Sequence, residues 1–166
     1  MKKYKPFMVR IIIAVFMAVF CSLGASAQAG LEINKFFGGR YSSDPTVTET
    51  LISDNGSFLT RNQLRLMASF KAPASRYASM IQKLVEKDGA GAIGKNIKYK
   101  NGQLYFAFYM LKPIGSGKNK INRYIYYLNT AAVGEENVLV VYLEGKASER
   151  YVSNLIQNMS KKVGRR

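Results

Sequence analysis

The sequence predicts an α+β protein: a two-layer sandwich in which an antiparallel sheet of about six strands has two amphipathic helices packed on one face. Three observations predict it. Asn101-Gly102 separates two runs of alternating apolar residues, which is the strongest short-range signal for a hairpin. Further β-branched and aromatic runs lie between clusters of turn residues, as is typical of strands. Two other segments repeat apolar residues at helical spacing.

The first 27 residues predict a cleavable secretory signal peptide. Four basic residues and no acid open the chain, and an apolar run from Ile11 to Leu23 follows. Ala25-Ser26-Ala27 is then the small-x-small triplet that a signal peptidase accepts. The apolar run would rise only about 20 Å as a helix, short of the ~30 Å hydrocarbon core of a bilayer. We therefore predict cleavage after Ala27, export to the periplasm or cell envelope, and no transmembrane segment in the remainder.

The segment that remains, residues 28–166, has the length of one domain and is predicted to be a single α+β unit with a short basic C-terminal tail. The whole chain has 25 basic and 10 acidic residues, a formal net charge of +15 at pH 7. Most of this excess lies after the leader. A basic surface attracts anions over a Debye length of about 8 Å. The candidate partners are another envelope protein or an anionic envelope component, and the alternative is a basic exported protein with no dedicated anionic ligand.

Several chemistries are excluded by residues that are missing. The chain has no histidine, and its single cysteine, Cys21, lies inside the leader. A Ser-His-Asp triad and a His or Cys metal site are therefore excluded after cleavage. Gly89–Gly94 matches the dinucleotide-binding pattern, but a helix precedes it and a strand follows, the reverse of what pyrophosphate binding needs. Gly115–Lys118 is similar to the end of a P-loop, but Asn119 replaces the magnesium-binding hydroxyl. We predict no catalytic residue, no metal and no cofactor.

The elements before residue 90 are predicted from apolar spacing and turn residues. In order they are a short helix or docking segment at 31–37, a turn at 42–45, a strand at 46–53, a turn at 54–57 and a strand at 63–71. Pro73 then opens a helix, because its fixed φ suits the first turn. The apolar stripe of this helix is Tyr77, Ile81, Leu84 and Val85, and Gly89 ends it.

The second half of the chain is predicted to be strands followed by a helix. The hairpin around Asn101-Gly102 runs from Lys95 to Lys112, and a glycine-rich basic loop follows at 113–120. Two further strands are expected at 121–128 and 138–143, and the second is apolar on both faces, which indicates a central position. A final helix is predicted at 148–159, capped by Ser148 and followed by the basic tail.

Tyrosines in the late strands suggest a candidate ligand surface. If Leu104, Phe106, Phe108 and Met110 face the core, Tyr105 and Tyr109 occupy the other face of the sheet. Tyr124 and Tyr126 could share that face near Lys98 and Lys100, and rings beside cations stack on bases or sugars. The alternative is ordinary cross-strand aromatic pairing. The possible ligand contacts are Lys98, Lys100, Tyr105, Tyr109, Tyr124 and Tyr126.

The leader, the Phe36-Phe37-Gly38-Gly39 segment and the tyrosine-rich hairpins resemble a family of small exported bacterial proteins of unknown function, of the Gram-negative envelope type. The resemblance covers most of the chain after the leader. It implies an envelope location and no established activity. Its motifs are structural, so no site residue is carried over to this sequence.

The leading hypothesis is thus a non-catalytic exported protein that acts as a binding or interaction module with a basic surface. One alternative is a nucleic-acid or anionic-glycan binder that uses a tyrosine-bearing sheet face. The other is a hydrolase that uses carboxylates or a Ser/Lys pair. No two acidic residues stand out by their spacing as such a pair.

Overall fold

The computed structural model describes residues 30–53, 57–133 and 136–163. The predicted leader, most of the predicted turn at 54–57 and the end of the basic tail lie outside the described residues. The strands are β1 Thr48–Ser53, β2 Leu64–Pro73, β3 Gly94–Lys100, β4 Gln103–Ile114, β5 Ile121–Asn129 and β6 Asn137–Gly145. The helices are α1 Ser57–Arg61, α2 Ala74–Gly89 and α3 Glu149–Val163, with short 3₁₀ helices at Glu32–Phe36, Gly117–Asn119 and Thr130–Val133.

The six strands form one open sheet in the order β1-β2-β6-β5-β4-β3, and every neighbouring pair is antiparallel. The predicted α+β class and the six-stranded antiparallel sheet are confirmed. The apolar strand β6 lies between β2 and β5, as its two apolar faces indicated. Its pairing with β2 joins segments more than sixty residues apart in the chain, from Leu64↔Gly145 to Pro73↔Asn137.

The predicted β3–β4 hairpin is confirmed at its turn. Asn101 and Gly102 both have positive φ, 51° and 75°, the conformation that a two-residue hairpin turn needs. The ladder then shifts, because Tyr99 pairs with Leu104 while Lys98 pairs with Phe106. Tyr105 is left without a partner on β3, and this bulge interrupts the alternation of β4 side chains.

The prediction that both long helices pack on one face is wrong. Tyr77, Ile81 and Val85 of α2 pack with one set of sheet residues, which includes Phe70 and Ile125. Val152 and Ile156 of α3 belong to a second cluster. We call the α2 side the front face and the α3 side the back face. The back cluster consists of Leu59, Leu64, Met67, Phe108, Tyr124, Tyr126, Val141, Leu143, Ala147, Val152 and Ile156.

The physical reason lies in the central strands, which are apolar on both sides. Along β5, Ile125 joins the front cluster whereas its neighbours Tyr124 and Tyr126 join the back cluster. A sheet with two apolar faces must be covered twice, because either face left bare would expose several hundred square ångströms of apolar surface. One helix on each face satisfies this requirement, and two helices on one face do not.

Two short helices complete the cover. The helix at Glu32–Phe36 confirms the predicted docking segment, since Ile33 and Phe36 are fully buried in the front cluster. It is attached to α2 by Asp88, whose carboxylate accepts the backbone N–H of Glu32 at 2.7 Å and of Ile33 at 2.9 Å. Helix α1 was not predicted, because its first residue was assigned to a turn. It buries Leu59 in the back cluster.

Among the described residues, no helix combines the length and the apolar character needed to cross a bilayer. The predicted N-cap of α3 is confirmed, because the Ser148 hydroxyl accepts the N–H of Tyr151 at 3.4 Å.

We expect burial of the sheet on both faces to delay tyrosine ionisation. Burial raises the pKa of Tyr109, Tyr124, Tyr126 and Tyr127 to about 12 each. Unfolded tyrosine ionises near pH ~10. Since the folded pKa is the higher, these groups stabilise the fold fully below about pH 10, and this stabilisation is lost as pH rises towards about 12.

The measurement is an alkaline titration of phenolate absorbance alongside circular dichroism. The buried tyrosines should ionise only as the fold is lost. A folded protein whose tyrosines all titrate near pH ~10, as they do in denaturant, would contradict burial on both faces.

Candidate functional site

Exposed basic side chains gather at one end of the sheet. Gly145 of β6 pairs there with Leu64 of β2 and with Asn122 of β5, so the segments flanking these residues are neighbours. The start of β5 in turn pairs with the end of β4, at Ile121↔Ile114. We call the exposed side chains on these segments the basic rim: Arg61, Lys112, Lys118, Lys120, Lys146 and Arg150.

The centre of the rim is a hydrogen-bonded junction of three segments. The carbonyl of Gln63 accepts the N–H of Lys146 at 2.8 Å and of Ala147 at 3.1 Å. The carbonyl of Ala147 accepts the Tyr124 hydroxyl at 2.8 Å and the Asn122 amide at 3.0 Å. These bonds tie the end of α1, the end of β6 and the start of β5 together. Arg61 and Lys146 therefore project from a fixed frame.

Gly145 allows this junction to form. A Cβ atom at this position would lie 2.4 Å from the carbonyl oxygen of Gln63 and 2.6 Å from the Cα of Leu64. Both are backbone atoms that cannot turn away. Gln63 has a positive φ of 56°, which is uncommon for a residue other than glycine. The chain therefore makes a tight turn at this residue, between α1 and β2. The backbone at Gly145 can therefore approach the backbone at Gln63 and Leu64 closely, which brings the segment that carries Lys146 next to the segment that carries Arg61.

The other half of the rim is the loop between β4 and β5. Gly115 and Gly117 have positive φ, 71° and 55°, so the loop is a compact turn that includes the 3₁₀ helix Gly117–Asn119. Arg123 braces its base, because its guanidinium donates to the carbonyl of Lys112 at 2.8 and 3.1 Å. Arg123 is therefore engaged in the fold, while Lys118 and Lys120 are exposed.

The rim residues have no ion-pair partner among the described residues, a property that they share with the β3-edge lysines Lys95, Lys98 and Lys100; what sets the rim apart is that its six side chains lie on neighbouring segments. In the part of the chain that the structure describes, the ion pairs join Glu32 to Lys35 and Lys87, Asp44 to Arg76, and Glu144 to Arg65. None of them involves a rim residue. The six positive charges of these neighbouring segments outnumber the carboxylate of Glu149, which precedes Arg150 in the chain, and this excess favours the approach of an anion.

The tyrosines predicted as ligand contacts do not share a face. Tyr109 is 2% exposed in the front cluster, and its ring lies against Gly89. Tyr124 and Tyr126 are 1% and 6% exposed in the back cluster. Tyr124 stacks on Phe108 at 5.7 Å between ring centroids, and Tyr126 meets Phe106 edge-on at 5.6 Å. The prediction of one open tyrosine face is wrong, since the sheet has no bare face and the bulge at Tyr105 shifts the alternation of β4.

The other predicted contacts stay at the surface. Lys98 and Lys100 are exposed on β3, and the Lys98 ammonium lies 5.7 Å from the centre of the Phe106 ring. Tyr105 is half-buried at the bulge. These three side chains lie at the β3 edge of the sheet, at the far end of that edge from the rim. Whether they contact a ligand stays a prediction.

The acidic residues are mostly occupied in holding the fold. The Lys35 and Lys87 ammonium groups hold the pKa of Glu32 down at about 2. Hydrogen bonds from the Thr46 hydroxyl and the Tyr77 hydroxyl lower the pKa of Asp44 to about 2. Among the other acids with a described role, Asp88 caps the N-terminal 3₁₀ helix, and the buried Glu144 carboxylate accepts hydrogen bonds from Arg65 and Tyr142.

A groove of about 400 Å³ lies elsewhere, beside the edge strand β1. It is lined by Gly39, Tyr41, Ser42, Val47, Glu49 and Leu51. The Glu49 carboxylate accepts the backbone N–H groups of Gly38 and Gly39 at 2.7 and 3.0 Å. These bonds explain the Gly38-Gly39 pair, whose positive φ values of 91° and 76° turn both N–H groups towards one side chain.

The sequence revealed part of the rim. The basic loop at 113–120 was recognised from its composition, but Arg61, Lys146 and Arg150 were not grouped with it. Their proximity depends on the β2–β6 and β5–β6 pairings, which no local pattern encodes. The available signal is the position of two basic residues at the ends of elements: Lys146 directly follows β6, and Arg61 is the last residue of α1.

Fold and site together define a small α+β domain with a basic rim. Its described residues include no group of three Asp, Glu, His or Cys placed to hold a metal ion. The model of a family of unknown function, DUF6108, matches residues 20–156, and the chain belongs to this family. The predicted resemblance to an uncharacterised family is thereby confirmed. Comparison with curated proteins and with solved structures gives no match.

Proposed function

We propose that the protein is an exported, non-catalytic binding module of the cell envelope whose basic rim engages an anionic envelope component. The observation that carries the proposal is the rim itself: six exposed Lys and Arg side chains at one end of the sheet, with no ion pair among the described residues. The ligand chemistry that such a surface recognises is a phosphate or carboxylate group, best presented several times on one surface.

Rigidity supports a binding role for the rim. Arg61 and Lys146 lie beside the junction formed by Gln63 and Ala147, so little backbone freedom remains to be lost when an anion binds. Lysine side chains still lose rotamer freedom, and lysine acts as a point charge without directional preference. The rim therefore suits a surface of repeated anions better than one small ligand.

The non-catalytic assignment is supported by the acids and the groove. The acidic side chains that could act in hydrolysis are largely bound to backbone N–H groups or to basic partners. The groove beside β1 contains one carboxylate, and Glu49 already accepts two backbone N–H groups there. Two carboxylates that face each other across a cleft are what glycoside hydrolysis requires.

The binding proposal is tested with lipid vesicles. We expect the purified protein to co-sediment with vesicles that contain phosphatidylglycerol, and to remain in the supernatant with pure phosphatidylcholine. Binding should weaken steeply between about 50 and 200 mM salt, because the attraction acts over a Debye length. Binding to heparin is measured in a second arm. Binding to the vesicles alone indicates a lipid headgroup as the source of the anion, and binding to heparin alone indicates an acidic glycan. Binding to neither probe at low salt would contradict the proposal.

Export is tested by the N-terminus of the protein recovered from cells. If the leader is cleaved as the Ala25-Ser26-Ala27 triplet predicts, mass spectrometry will find a chain that begins at Gln28 in the envelope fraction. A matched variant, Ala27→Arg, should retain the leader because the peptidase pocket accepts only small side chains there. A wild-type chain recovered from the cytosol with Met1 intact would refute export.

A further inference from the structure

The two edges of the sheet are unlike. The β3 edge carries Lys95, Lys98 and Lys100, all exposed, and it has a bulge at Lys98/Tyr99. Lysines and bulges on an edge strand prevent another strand from pairing with it. The β1 edge has neither feature. Its sequence is Thr-Glu-Thr-Leu-Ile-Ser, and within the described residues it pairs with β2 alone.

The β1 edge also exposes apolar surface beside a groove. Leu51 is 46% exposed, and it lines the groove of about 400 Å³ together with Tyr41 and Val47. Leu51 lies on the front face, since it pairs with Ala68 of the front cluster. A strand added to β1 would therefore place alternate side chains over this groove.

The charge on β1 is no obstacle to pairing. Glu49 is its only charged residue, and its two carboxylate oxygens accept the N–H groups of Gly38 and Gly39. Those hydrogen bonds hold the carboxylate towards its own chain. The edge thus presents backbone groups, hydroxyls, the exposed Leu51 and the half-buried Ile52 to an incoming strand.

We propose that β1 pairs with β1 of a second copy of this chain, antiparallel about a two-fold axis normal to the sheet. The axis passes between Leu51 and its symmetry mate, so Thr50 faces Ile52 and Glu49 faces Ser53 of the other copy. Each pair is favourable or neutral, and no two like charges are opposite. The two leucines cover the mouths of both grooves, and the two sheets become one continuous sheet.

The two-fold arrangement also separates the basic rims. The rim of each copy lies near the Ser53 end of β1, because Ser53 pairs with Leu66 close to the Leu64–Gly145 junction. In an antiparallel pair these ends point in opposite directions. With the axis at Leu51, the two Ser53 residues are offset by four residues, about 13 Å along the strands, which exceeds the Debye length of about 8 Å, and each Leu64–Gly145 junction lies further out. Repulsion between the two basic chains is therefore screened where it would be strongest.

The test is the oligomeric state of the protein by sedimentation equilibrium over a wide range of concentration. A six-residue strand pair is smaller than a standard interface, so we expect a reversible dimer that forms only above about 1 µM. Leu51→Lys should weaken dimerisation about tenfold or more, because it places two ammonium groups side by side at the axis. Ile93→Lys, which adds the same charge at a residue 54% exposed, is the matched control and should leave dimerisation unchanged.

A cross-link tests the register. Leu51→Cys should form an intermolecular disulfide readily, since residues opposite at the axis have Cα atoms about 4.5–5.5 Å apart, within the range of about 4.4–6.8 Å that a disulfide spans, while Ile93→Cys should not. A monomer at every concentration, with rapid exchange of the β1 amides, would overturn the proposal and leave the edge to a strand from another protein. A dimer that survives Leu51→Lys and fails to cross-link through residue 51 would overturn it as well.

Discussion

Glu144→Ala is expected to lower the free energy of unfolding by about 3 kcal/mol. The Glu144 side chain is completely buried, and its carboxylate accepts hydrogen bonds from the Arg65 guanidinium and, at 2.7 Å, from the Tyr142 hydroxyl. Breaking a buried ion pair by removing one partner costs about 3–5 kcal/mol. The lower end applies here, because the Arg65 side chain is 45% exposed and can be rehydrated after the carboxylate is removed.

The local backbone explains why a charge is tolerated at this position. Leu64 pairs with Gly145 and Leu66 with Glu144, so Arg65 is the extra residue of a bulge in β2. The bulge brings the Arg65 side chain to Glu144. The hydrogen bond to the Glu144 carboxylate adds to burial in raising the pKa of Tyr142, so this hydroxyl stays protonated.

Denaturant unfolding of three variants checks this prediction. Glu144→Gln keeps one acceptor for Tyr142 and is expected to cost less than Glu144→Ala, about 1–3 kcal/mol. Glu136→Gln is the matched control, since Glu136 is exposed, and it should stay within about 0.5 kcal/mol of wild type. If Glu144→Ala were as stable as Glu136→Gln, the buried ion pair would not contribute as described.

Gly89→Ala is the second substitution with a large expected effect, a loss of about 2 kcal/mol. Alanine normally stabilises a helix relative to glycine, by up to about 1 kcal/mol. At the end of α2, however, a Cβ atom would lie 2.4 Å from the ring of Tyr109. That ring is 2% exposed and packed in the front cluster, so it cannot move aside without disturbing its neighbours. Overpacking of this kind costs about 1–3 kcal/mol.

The control is Gly91→Ala, two residues away, where a Cβ would meet no atom within 4 Å. It should be close to neutral. In the Tyr109→Leu background the ring is absent, so Gly89→Ala should lose most of its cost, and the double-mutant cycle should give a coupling above about 1 kcal/mol. Additive effects of the two substitutions would show that the ring does not dictate glycine at this position.

Local patterns predicted most of the elements. The Asn101-Gly102 hairpin, the helix after Pro73 and the Ser148 cap are each specified within a few residues, and all three are confirmed. Helix α1 was missed, because its five residues are too few to show a helical period and they directly follow turn residues. Its stability comes from Leu59 in the back cluster, a tertiary contact that local sequence does not reveal.

The distribution of helices over the two faces was predicted wrongly for an identifiable reason. Apolar residues on both sides of β6 correctly indicate a central strand. They equally require a cover on each face, and the same holds for the run from Tyr124 to Leu128. The bulge at Tyr105 added a second error, because strict alternation placed Leu104 and Phe108 on one face whereas they lie in different clusters.

The candidate site was predictable only in part, since it depends on topology. Composition identified an excess of positive charge and one basic loop. It could not show that Lys146 and Lys120 come together, because this follows from the Asn122↔Gly145 pairing between β5 and β6. Tyrosine is abundant in the late strands, but Tyr109, Tyr124 and Tyr126, three of the four tyrosines predicted as contacts, are core residues.

Binding at the basic rim is tested most directly by comparing two triple variants of equal charge for binding to phosphatidylglycerol vesicles. One variant removes half of the rim by the substitutions Lys118→Gln, Lys120→Gln and Lys146→Gln. The other removes the lysines of the β3 edge by the substitutions Lys95→Gln, Lys98→Gln and Lys100→Gln. Each lysine near an anionic surface contributes about 1 kcal/mol to binding, so the rim variant should bind about a hundredfold more weakly than wild type, with a shallower salt dependence. The β3 variant should lose only a few-fold. Equal losses in the two variants, or a greater loss in the β3 variant, would contradict binding at the rim.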